Sequence, residues 1–136
     1  MKKYIVFIAL CMVVLIGCTT LQPGADPLVV RTEQSLTVGK SAFDLAVIID
    51  HSNRAMWRTN VPAFHEFCEW LRAPEVVPDL VTTLPRASAM LYSLNTIKKD
   101  YIMSKTSSNA LYSALMTFES TMNQANSWLT IITNKL

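Results

Sequence analysis

Glycine is nearly missing from this 136-residue chain: only Gly17, Gly24 and Gly39 occur. Tight catalytic turns commonly need glycine's freedom at positive φ, so an active site built from loops is hard to assemble here. Cysteine is as scarce, with Cys11, Cys18 and Cys68. The first lies inside an apolar N-terminal run and the second ends it. Cys68 is then the one thiol left in the body of the chain, and no internal disulfide framework is available. An excess of positive charge is missing too. With Lys2 and Lys3 of the N-terminal run set aside, 10 basic residues face 10 acidic ones. A neutral chain lacks the electrostatic footprint of nucleic-acid binding, so no nucleic-acid partner is expected. Motifs for hydrolysis, phosphate binding and metal binding are also missing: no Gly-x-Ser-x-Gly, no phosphate loop, no His-Glu-x-x-His. No catalytic residue, cofactor or metal is therefore assigned, and the chain is not read as an enzyme.

What is there begins with the leader. Lys2 and Lys3 precede an almost unbroken apolar stretch from Tyr4 to Ile16. That run is shorter than the ~20 residues of a transmembrane helix but suits the hydrophobic region of an export signal. It ends in Leu15-Ile16-Gly17-Cys18, which resembles the lipobox of bacterial lipoproteins. The resemblance implies cleavage after Gly17 and a lipid on Cys18. Two or more acyl chains give stable membrane attachment. Thr19 follows, and not the aspartate that marks inner-membrane retention in enteric-type lipoproteins. The expected address is the periplasmic side, on the outer membrane more than the inner where the host has one. Residues 1–17 read as signal peptide, 18–27 as lipidated cysteine and tether, and 28–136 as the domain. The stretch Asp26-Pro27-Leu28-Val29-Val30-Arg31-Thr32-Glu33-Gln34, with Asn53-Arg54, resembles small helical lipoproteins of bacterial and phage genomes that have no assigned function.

The domain reads as all-α, a small antiparallel bundle of about four helices. The first starts at Asp26-Pro27, a cap followed by proline in the first turn. Val29, Leu36, Phe43 and Val47 trace its inner face, widened by Leu45, Ile48 and Ile49. Gly39 weakens its middle, and Asp50 to Asn53 marks a stop or bend. The second runs from about Val61 to Arg72 with Asn60 as cap, burying Phe64, Phe67, Cys68 and Leu71. A loop covers Glu75 to Leu84. The third starts near Pro85 with Thr83 as cap, and follows Ala87, Leu91, Leu94, Ile97 and Tyr101, with Lys98 and Lys99 in solvent. A polar turn, Lys105 to Asn109, makes the last two helices antiparallel neighbours. From Ser108 the fourth helix carries Leu111, Leu115, Phe118, Met122, Ala125, Leu129 and Ile132 at alternating spacings of four and three. This seam packs in the core or pairs with a second copy.

Two groups of side chains invite a functional reading. His65 and Cys68 are three apart on one helix, but a metal needs a third ligand, which would have to be His51. At a core spacing Cys68 reads as a small buried hydrophobe. Between Arg54 and Arg72 the chain collects two of its three tryptophans and three arginines, the residue types that dominate contact energy. Trp57, Arg58 and Trp70 are the expected partner-facing patch, with Trp57 in a turn. The favoured function is a lipid-anchored, non-catalytic binding or structural module of the cell envelope, joined to the membrane through Cys18 and acting on an envelope protein or a second copy of itself. The alternative is a carrier of a small apolar ligand in a core lined by Met90, Met116 and Met122. An envelope enzyme stands third.

Overall fold

A computed structural model of the chain describes residues 24–73 and 85–135. The leader, Cys18, the Glu75–Leu84 loop and the Thr83 cap lie outside the described residues. Within them are five helices and no strand: α1 (Pro27–Ser52), α2 (Arg54–Asn60), α3 (Pro62–Arg72), α4 (Pro85–Ile102) and α5 (Ser108–Thr133). The chain is an all-α bundle. No helix among the described residues is long and apolar enough to cross a membrane.

Local chemistry sets the helix ends. Asp26 caps α1, its Oδ1 accepting from Leu28 N at 2.9 Å, and Pro27 opens the first turn. Asn53 breaks the chain at φ −155°, and its side chain accepts from Met56 N to start α2. The bend foreseen at Asp50 to Asn53 falls at Asn53, and an extra short helix follows it. Asn60 ends α2 and is not a cap; the capping position of α3 is Val61, which has no side-chain bond to offer. Ser107 caps α5 through Ala110 N. At the end of α4, Lys105 N donates to Asp100 O at 2.7 Å and Ser104 N to Tyr101 O at 2.9 Å. This is a Schellman closure, and its left-handed position is taken by Ser104 at φ 58° where glycine is usual.

The three long helices form the body. Tyr101 donates to Asp26 and Lys98 pairs with Glu33, so the end of α4 lies beside the start of α1 and the two run antiparallel. The short turn after α4 reverses the chain, and α5 returns parallel to α1. Lys98 is held in this pair and is not the solvated side chain that its position suggested. At the opposite end α3 packs over α1 and α5, with Cys68 against Ala46 and Phe64 against Trp128.

The α5 seam is buried as its spacing requires: Leu111, Leu115, Phe118, Ala125, Leu129 and Ile132 are all core, and Met122 is half-buried. Its partner is this chain's own α1. The inner face of α1 differs from expectation. Phe43 and Val47 are on it, but so are Thr32, Ser35, Gly39, Ala42, Ala46 and Asp50. Ile48 points outward, 64% exposed. The small residues leave room for the large ones of α5. A methyl group on Gly39 would meet the Phe118 ring, with Cε1 at 2.6 Å, and Phe118 is itself braced edge-on against Phe43 at 5.8 Å. Thr32 and Ser35 enter the interface with their hydroxyls satisfied, by Leu28 O and by Glu119 Oε1 respectively.

Candidate functional site

Two features carry chemistry. The first is an ionic corner where α1, α2 and α3 meet. Asp50 is fully buried on α1. Its Oδ1 lies 2.7 Å from His65 Nδ1. A carboxylate only accepts, so Nδ1 carries the proton of this bond. Oδ2 accepts no hydrogen bond; it faces Arg72 Nη1 at 3.5 Å and Arg54 Nε at 4.0 Å. Both arginines also hold Glu69: Arg72 Nη1 at 2.7 Å, and Arg54 through Nη2. Partial burial pushes the Glu69 carboxyl up, but the two guanidinium hydrogen bonds outweigh it and leave the group below its ordinary range. Two carboxylates and two guanidiniums thus neutralise one another around His65.

Ligand atoms of Asp50, His65 and Glu69 all lie within 4.8 Å of one another, close enough to converge on one cation. A cation there would have to displace Arg54 and Arg72 from the carboxylates they already hold. The foreseen third ligand, His51, is exposed, and Asp50 stands where it would be needed. Cys68 is completely buried, its Sγ donating to Ala46 O at 3.5 Å. Burial first, then the nearby Asp50 charge, pushes its thiol up to about 12. At neutral pH it is a protonated core residue and not a nucleophile.

The second feature is a shallow groove of about 450 Å³ between α3 and α5, lined by Ala63, Glu66, Phe67, Trp70, Gln124 and Trp128. The i, i+3 and i, i+4 spacing of Ala63, Phe67 and Trp70 puts them along one edge of α3. Trp70 is 40% exposed, stacked on Phe67 at 6.1 Å and covered by the Arg86 guanidinium 4.9 Å from its ring centre. Arg86 reaches it from the first turn of α4, so the ring is held by two other helical positions and still keeps an open edge.

The expected patch is only partly assembled. Trp70 and Arg58 are exposed. Trp57 is a correction: it is 2% exposed and belongs to the core. It sits in helix α2, not in a turn. Its Nε1 donates at 3.0 Å to Ile49 O in the last turn of α1, a carbonyl that also accepts from Ser52 Oγ, and its ring meets Phe64 edge-on at 5.5 Å. Trp128 half-lines the groove in its place, a tryptophan that the seam pattern of α5 did not single out. The methionines foreseen as a ligand cavity are not gathered into one: Met116 is at the surface, 43% exposed, while Met90 and Met122 pack on the core. Compared with known proteins, the chain matches no family model, no curated protein and no solved structure.

Proposed function

We infer that the protein is a lipid-anchored, non-catalytic module of the cell envelope that works by contact. The observation that carries this reading is the Leu15-Ile16-Gly17-Cys18 box followed, after a short tether, by a bundle whose first helix is capped at Asp26. The internal chemistry supports the non-catalytic half. The ionic corner spends its charges on one another, and the thiol beside it is buried and protonated. The contact surface is the α3–α5 groove, where Trp70 and Trp128 offer apolar area, and Glu66 and Gln124 offer polar atoms at the rim. The partner is an envelope protein or a second copy of the chain.

Anchoring is tested by the mass of the mature N-terminus and by membrane flotation. Acylated Cys18 and flotation are expected, with both lost in Cys18→Ser. A Cys18→Ser protein that is still processed and still floats contradicts the reading. Contact is tested by a photo-crosslinking residue at Gln124 in intact cells. A discrete protein adduct, lost on Trp70→Ala without a change in melting temperature, is expected.

A further inference from the structure

The end of the bundle from which the tether leaves carries an uncovered apolar tip. Asp26 is the first residue of the α1 cap, and its Oδ2 accepts from Tyr101 OH at 2.7 Å. That bond fixes the start of the domain to the last turn of α4. The next two residues, Ile102 and Met103, are consecutive, apolar and 58% and 53% exposed. Single exposed apolar side chains are ordinary on any protein. A consecutive pair on a closed turn is different, because the Schellman bonds and the left-handed Ser104 hold both outward instead of letting the turn fold over them. The charged groups around the pair are Lys99 and Lys105, exposed and free of ion pairs; Asp100, half-buried; Asp26, bonded to Tyr101; and Lys98 and Glu33, paired with each other.

Chain length selects what this tip meets. Between Cys18 and Asp26 lie eight peptide steps, which at ~3.3–3.6 Å each reach less than ~30 Å. The 26-residue helix α1 extends ~39 Å from that point at ~1.5 Å per residue. A lipid on Cys18 therefore keeps the tip within tether reach of the bilayer, and α2 and α3 lie at the opposite end of α1.

We propose that the α4–α5 turn is a membrane-contact tip, with Ile102 and Met103 seated in the interfacial layer of the bilayer that holds the Cys18 lipid. This rests on the lipoprotein reading above. Seating the tip stands the bundle upright and presents the α3–α5 groove away from the membrane. The lysines flank the apolar pair at headgroup level, where their charges stay hydrated.

The test uses the lipidated full-length protein in vesicles of phosphatidylethanolamine and phosphatidylglycerol. A fluorophore is placed by Met103→Cys or, as a control on the far end, by Arg58→Cys. Both positions are exposed, so neither change touches the core, and buried Cys68 stays unlabelled in the native state. Lipids carrying a quencher near the headgroup are expected to quench the Met103 label at least about twofold more than the Arg58 label, consistent with insertion at the headgroup and acyl boundary. Equal quenching of the two labels in acylated, vesicle-bound protein overturns the tip and leaves anchoring intact. Absence of the acyl mass, with no vesicle binding, overturns the anchoring and the tip together.

Discussion

Helices α1 and α5 have the same length, 26 residues, and run side by side, yet they contribute opposite things to their interface. Helix α5 supplies bulk: Leu111, Leu115, Phe118, Leu129 and Ile132 all project from one seam. Helix α1 supplies room: Thr32, Ser35, Gly39, Ala42 and Ala46 recur at the same three–four spacing and bury almost nothing of their own. Large groups on one side need small ones on the other if the helix axes are to approach and the core is to be filled without voids. The polar members of the α1 face stay in because each is served. Thr32 and Ser35 are hydrogen-bonded, and Asp50 sits among His65, Arg72 and Arg54. In this bundle, then, α5 determines the shape of the interface and α1 the fit.

The largest effect is expected from spoiling the bulk. Leu115→Asp buries an unpaired charge opposite α1 and should cost several kcal/mol, enough to unfold so small a domain. Loss of the cooperative helical melt by circular dichroism is the readout. The next largest is expected from orphaning the polar end of the fit. His65→Ala strands the fully buried Asp50 with cations that make no hydrogen bond to it. A loss of about 2–3 kcal/mol in chemical denaturation is expected, tempered by the partial exposure of the arginines. The smallest is expected from acid. Burial raises the Glu119 carboxyl, but hydrogen bonds from Arg31 and Ser35 across the interface outweigh it and leave it low. Glu69 is lowered in the same way. A carboxyl with a depressed folded-state value contributes stability that is fully present above its unfolded value. That contribution is lost as pH falls through the folded value. Stability should therefore decline below about pH 4.5, with Glu119→Gln showing a shallower decline.

The same asymmetry explains what the sequence made legible. The α5 seam is visible because hydrophobicity itself repeats, and its six core members need no knowledge of the partner. The face of α1 is invisible to that signal, since Thr32, Ser35 and Asp50 look like solvent residues and Ile48 looks like core. Gly39 read as a weak point in a helix and is the place where Phe118 comes in. At the candidate site, Cys68 was legible from spacing alone. The Asp50–His65 pair was not, because fifteen positions and two helix breaks separate its members. Trp57 misled for a related reason: its polar Nε1 finds a partner only when the end of α1 folds back beside α2.

Helix α1 is a socket fitted to α5, and substitution of Gly39 tests this most directly. In an ordinary helix interior Gly→Ala raises stability by about 1 kcal/mol. Here the added methyl meets the Phe118 ring, which is braced by Phe43, so Gly39→Ala should lower the unfolding free energy by about 1–2 kcal/mol. In a Phe118→Leu background, with the ring gone, the same change should be neutral or stabilising. A higher melting temperature for Gly39→Ala in the otherwise unchanged protein, with no coupling to Phe118, would contradict the fit between the two helices.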